Sequence, residues 1–156
     1  ELIDTVENMT VYGEIAEYFE AEEKVIISEK PMLELLFEED TLFMHAKQFV
    51  SQQKIGDKKV LAYNNVKFFK TDFQGKCDSL TYNLTDSVVE MYKEPILWSS
   101  EFQITADSIQ FLANKGKISR MFLHPSPMII AQEDSLDYNQ IKGKRQKGKE
   151  RNYKAE

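Results

Sequence analysis

Cys77-Asp78-Ser79-Leu80-Thr81-Tyr82 returns further along the chain as Ala106-Asp107-Ser108-Ile109-Gln110-Phe111. It returns again, without its small first residue, as Glu133-Asp134-Ser135-Leu136-Asp137-Tyr138. A phrase that recurs about every 30 residues marks stacked units that share one continuous core. A second phrase keeps the same step. Glu29-Lys30-Pro31-Met32-Leu33 matches Lys93-Glu94-Pro95-Ile96-Leu97, and His124-Pro125-Ser126-Pro127-Met128-Ile129 supplies a third copy. Asn64-Asn65-Val66-Lys67-Phe68 fills the midpoint between the first two, and Tyr18 and Val25 stand at the double step from Tyr82 and Val89.

The repeated unit reads as β-strand. In Phe102-Gln103-Ile104-Thr105-Ala106 apolar and polar residues alternate, the period of a half-buried strand. The phase then slips by one before Ile109 and Phe111, which predicts a bulge or kink near Asp107-Ser108. Val66–Phe69, Val88–Tyr92 and Ile96–Trp98 are rich in β-branched and aromatic residues. Turn chemistry separates them at Asp72–Gly75, Asn83–Ser87 and Asn114–Lys117. Ile15 to Ile27 is ambiguous, because its centre is made of helix formers. An amphipathic helix is one reading. The alignment of Tyr18 and Val25 with Tyr82 and Val89 across a turn favours a hairpin with a charged tip at Glu20–Lys24. The fold class expected is all-β: an antiparallel repeat sheet.

The chain has 156 residues and a net charge of −6, but the charge is uneven. From Lys142 onward seven Lys or Arg face only Glu150 and Glu156, a net of about +5. The body therefore carries about −11, which argues against nucleic acid as the main partner. Residues 1–144 are expected to form the repeats and 145–156 a basic, disordered tail. A single cysteine forbids an intrachain disulfide. The abrupt start, and an end inside what resembles a further repeat, suggest a piece of a longer protein with any export signal removed.

Constellations for catalysis are thin. His45 lies in a strand-like run and is expected to face solvent or make a structural hydrogen bond; His124 precedes Pro125 and looks like a turn residue. No pair has metal-ligand spacing, and no Gly-rich phosphate loop is present. Cys77 occupies the small position that Ala106 holds in the next copy, which favours packing over nucleophilic chemistry. The Asp-Ser pairs admit two readings: local backbone hydrogen bonding at a strand start, or carboxylates for calcium. One Asp per repeat is sparse for an ion that takes six to eight oxygens. No catalytic residue, metal or cofactor is expected.

What remains is an apolar face. Val66, Phe68, Leu80, Tyr82, Met91, Ile96, Trp98, Phe102, Ile104, Ile109, Phe111, Met121 and Leu123 fall mainly at alternate strand positions. They make either a packed sandwich core or an apolar trough for acyl chains. The sequence leaves both open.

Asp40–Ala46, Ala62–Phe69, Gln74–Leu80 and Met91–Trp98 together resemble the OstA-like, LptA-type lipopolysaccharide transport family, in particular its long multi-repeat Bacteroidetes-type members. The likeness covers roughly residues 14 to 144. It implies a β-jellyroll, V-shaped in section, whose interior shields the acyl chains of lipopolysaccharide and lipid A in the periplasm, with no catalysis. It also implies partners: other Lpt-type envelope proteins, or copies of the same chain, joined by pairing of edge strands. The chain departs from short family members in its basic end and in a longer loop at Ser51–Lys59. Two rival readings stand beside this one: an interaction module of a cell-envelope protein that binds protein or glycan, and a carbohydrate-active enzyme, which would require clustered carboxylates.

Overall fold

The structure, a computed structural model, describes residues 2–4, 8–132, 138–143 and 152–153. All its regular elements are strands: β1 Leu2–Asp4, β2 Met9–Tyr12, β3 Ile15–Phe19, β4 Lys24–Ser28, β5 Met32–Leu36, β6 Thr41–His45, β7 Gln48–Gln52, β8 Lys59–Phe69 and β9 Phe73–Asn83. They continue as β10 Val88–Tyr92, β11 Ile96–Ser99, β12 Phe102–Thr105, β13 Ser108–Asn114, β14 Lys117–His124, β15 Met128–Gln132, β16 Tyr138–Lys142 and β17 Asn152–Tyr153. Every pairing is antiparallel. The fold class is thus all-β, as the alternation predicts.

The strands form two faces. One runs β1-β2-β5-β6, then the second half of β8, the first half of β9, and β11-β12-β15-β16. The other runs β3-β4-β7, the first half of β8, the second half of β9, then β10-β13-β14-β17. The 11-residue strands β8 and β9 belong to both faces and bend from one to the other. Among the described residues no pairing joins the first strands to the last, so the sheet is open.

The chain steps between faces at a row of corners, and the two repeated phrases are the two kinds of corner. At Glu29-Lys30, Asn64-Asn65, Lys93-Glu94 and Ser126 it crosses one way, with φ between 54° and 61° at each of these residues. That left-handed conformation costs most residues about 1–2 kcal/mol and suits Asn better. The residue that follows, Pro31, Val66, Pro95 or Pro127, is buried. The return crossings follow the small residues Gly13, Ala46, Cys77 and Ala106. There the backbone N–H of the next residue donates to a carbonyl of the neighbouring corner: Glu14 to Glu29 at 3.0 Å, Lys47 to Asn64 at 3.0 Å, Asp78 to Lys93 at 3.3 Å and Asp107 to Pro125 at 3.1 Å. Gly143 continues the row by donating to Pro127 at 2.9 Å. Glu133–Ser135, the third copy of the Asp-Ser phrase, lies outside the described residues, as does most of the basic tail; Asn152–Tyr153 pair with β14.

Of the bulge or kink expected near Asp107-Ser108, the structure has the kink: the chain changes face there. Ile104 and Ala106 point inward from one face, and Ile109 and Phe111 point inward from the other. Ile15 to Ile27 is a hairpin, with its turn at residues 20–23. Gly75 lies within β9 rather than in a turn. It sits opposite Phe68, whose ring lies where a Cβ at Gly75 would fall, 2.4 Å away. The loop expected over Ser51–Lys59 is shorter, residues 53–58, because Ser51 and Gln52 complete β7. Ser51 is 1% exposed and accepts a hydrogen bond from Gln53 Nε2 at 2.6 Å.

The corners generate a prediction. Glu94 is exposed with φ 54°. Glu94→Gly should relieve the left-handed strain by more than it adds to unfolded-chain entropy, raising stability by about 0.5–1 kcal/mol; Glu94→Val should lower it. Urea midpoints of the two variants decide it, and equal midpoints would count against corner strain.

Candidate functional site

The two faces turn their apolar residues toward each other. Leu33, Leu35, Leu42, Met44, Phe68 and Phe73 come from the first, and Leu80, Tyr82, Val89, Phe111, Ala113 and Ile118 from the second. A bulge between Leu112 and Ala113 pairs Ala113 with Ile118 across the β13–β14 hairpin. The space left between the faces is about 50 Å³. That is room for a few water molecules, at about 10–15 Å³ each on this measure. In this conformation the side chains largely meet, and the narrow space between them stays partly open at its mouth.

At the mouth of the interior, opposite the corners, one aromatic contact spans the two faces. Phe37, just after β5, lies against Gly116, in the β13–β14 turn. A Cβ added at Gly116 would come 2.8 Å from Phe37 Cγ. Gly116 also has φ +76°, so the backbone and the space both call for glycine. Beside it, the hairpin tips of β5–β6 and β8–β9 are joined by a polar clasp. Lys70, buried, places its ammonium 3.4 Å from Asp40 and 2.5 Å from Asp72. Thr71 donates to Asp40 through its hydroxyl at 3.0 Å and its N–H at 3.1 Å. Desolvation pushes the Asp40 carboxyl upward, but the hydrogen bonds from Thr41, Thr71 and Lys70 outweigh it and hold the group below the usual carboxylate range. The clasp ties tips within one face and leaves the two faces free of any ion pair across the mouth among the described residues.

The structure sorts the expected apolar residues. Val66, Phe68, Leu80, Met91, Ile104, Ile109, Phe111, Met121 and Leu123 are buried between the faces. Tyr82 and Phe102 are half-buried and pack against them. Ile96 and Trp98 are on the outside. Leu97, 0% exposed, takes the inward position of β11, so its two neighbours must point away. Missing from the expected set are Leu33, Leu35, Leu42 and Met44. The sequence carries a signal for Leu33, which stands at the double step from Leu97 in the Pro phrase. Phe37 and Gly116 carry no such signal, because their contact exists only where the faces meet.

His45 is exposed. The His124 carbonyl accepts from Ser108 Oγ at 3.3 Å, and Asp78 lies 3.4 Å from Lys93 Nζ, so both Asp-Ser copies make local bonds at corners. Cys77 is 7% exposed, and burial first, with the Asp78 charge adding to it, pushes its thiol from 9.0 up to about 12. Such a thiol is inert near neutrality. Burial and the hydrogen bond to Glu90 likewise raise Tyr92 from 10.0 to about 12. Among the described residues no three His, Cys, Asp or Glu side chains gather to hold a metal.

No protein-family model and no curated protein sequence matches the chain. A solved structure does: LptH, described as the LptA-homologous periplasmic component of the conserved lipopolysaccharide transport device from Pseudomonas aeruginosa. The TM-score is 0.64 at 7% identity, covering 88% of this chain and 96% of that one. The likeness is one of fold: an open β-jellyroll of the LptA type.

Two expectations follow from the site. Gly116→Ala should destabilise by about 1–2 kcal/mol in the wild-type background and by less when Phe37 is already Ala, since the ring it would strike is gone. A double-mutant cycle in urea measures the difference, and strict additivity would contradict the contact. Separately, Cys77 and Tyr92 have raised folded-state pKa values, so their contribution is intact below their ordinary values and is lost as pH rises toward about 12. Stability should fall above about pH 9, and Cys77→Ala should flatten the first part of that fall.

Proposed function

We propose that this chain is a non-catalytic lipopolysaccharide-transport module of the periplasm and cell envelope, which takes lipid A acyl chains between its two apolar faces. The observation that carries the reading is the interior itself. Two apolar walls meet in a jellyroll of the LptA type, and an aromatic-on-glycine contact narrows their mouth. Loading requires the faces to part, because the space of about 50 Å³ between them is far too small for a chain. The corner row is the hinge for that motion, and Phe37 leaving Gly116 is its first step. The energetics favour it: each CH₂ moved out of water contributes roughly 0.8 kcal/mol, so one chain of a dozen carbons contributes about 9 kcal/mol. That exceeds what a half-buried phenylalanine contributes by narrowing the mouth, and the residues uncovered on opening are covered again by the ligand.

In this reading the lipid contacts are the inward residues among those expected from sequence, from Val66 to Leu123, together with Leu33, Leu35, Leu42 and Met44. Ile96 and Trp98 are left out. Partners are reached through the open ends. Among the described residues β3 pairs only with β4, and its Ile15 and Tyr18 are 48% and 68% exposed. An unpaired edge of this kind takes an added strand, from another Lpt-type protein or a second copy of the chain.

Photocrosslinking tests the proposal. A photoreactive residue at Tyr82 or Phe102 should capture lipid A, and one at Tyr63 or Tyr92, on the outside of the second face, should not. Phe37→Ala should quicken loading. Absence of inward crosslinks, under conditions where a known carrier is labelled, would overturn the reading.

A further inference from the structure

The outer surface of the first face carries two parallel stripes that the interior does not explain. Cross-strand register aligns Phe43 with Phe69, Phe69 with Gln74, Gln74 with Trp98 and Trp98 with Gln103, in one row. The next row, nearer the corners, aligns His45, Lys67 and Lys76. All these residues alternate with buried ones, so all point outward. All of them but Gln103 border a surface concavity of about 390 Å³.

Two features of this surface ask for a ligand. Lys67 and Lys76 stand directly opposite each other, a like-charge pair that costs stability in a sheet. Neither forms an ion pair among the described residues, although the body of the protein is strongly acidic and has carboxylates to spare. Beside them Phe43 and Phe69 are 38% and 54% exposed. Trp98 is held in place by its own Nε1–H, which donates to Gln103 at 2.9 Å, and Lys76 Nζ lies 5.9 Å from its ring centre. At about 4.8 Å per strand, the aromatic rings fall about 5 and then about 10 Å apart.

We propose that this outer surface is a second binding site, for an acidic oligosaccharide. Exposed aromatic rings in a row offer faces for sugar rings, Gln74 offers both a donor and an acceptor to hydroxyls, and the unpaired lysines receive the carboxylate, phosphate or sulfate. A membrane surface fits less well. Recognition of anionic lipid calls for four to eight clustered cations, and two lysines suit one discrete anion. The proposal is independent of lipid loading inside, which none of these residues line from within.

Trp98 is the only tryptophan in the chain, so its fluorescence reports this surface. Titration with hexagalacturonate or a heparin-derived hexasaccharide should shift its emission saturably. Neutral maltohexaose should bind at least about tenfold more weakly, and added salt should weaken the acidic ligands. Lys67→Gln with Lys76→Gln should reduce affinity about tenfold while leaving the thermal midpoint unchanged or raised. Silence toward both acidic hexasaccharides, equal response to maltohexaose, response only to phosphatidylglycerol vesicles, or wild-type affinity in the double variant would each overturn the proposal.

Discussion

The structure depends on the corner at which a strand leaves one face and enters the other. A change of face leaves a backbone N–H and a carbonyl without ladder partners, and each hydrogen bond that pairs them again contributes about 0.5–1.5 kcal/mol. Here each return corner donates its N–H to the carbonyl of the neighbouring forward corner, from Glu14 and Glu29 through Asp107 and Pro125. The left-handed φ at Glu29-Lys30, Asn64-Asn65 and Lys93-Glu94 is the cost of aiming those carbonyls. Once the corners are sewn together, the direction of every strand and the inward side of every residue follow.

Much of this was legible in the sequence, for a physical reason. Corners recur because each makes the same backbone demand, and that demand selects a small residue before one crossing and Pro or Val after the other. Alternation marks the strands, and the phase slip at Asp107-Ser108 marks the crossing, the kink of its two alternatives. Ile96 and Trp98 point outward against expectation because β11 is apolar on both sides. With Ile96, Leu97 and Trp98 in succession, period-2 reasoning has no polar residue to set its phase. The packing of Phe37 on Gly116 was invisible, since it joins residues far apart in the chain through the mutual position of two sheets.

The interior and the outer stripe differ in kind. The inner walls are generic: large apolar residues at alternate positions, tolerant of exchange and held by area. The outer stripe is particular, with one amide fixing one indole and two lysines left without counter-charge. Core requirements explain the first in full and the second not at all. That contrast is why the outer surface carries weight although far less area is involved.

The corners also stack in the order in which they occur along the chain, so position in the sequence maps directly onto position along the molecule. Each period of roughly 30 residues adds two strands to each face, and hence about 10 Å of length. The fold is in this sense a ruler. Duplication or loss of one period lengthens or shortens it by a fixed step and leaves the cross-section unchanged, whereas half a period would leave a corner without its partner. Span across a compartment can therefore be set by counting repeats, with no redesign of the walls.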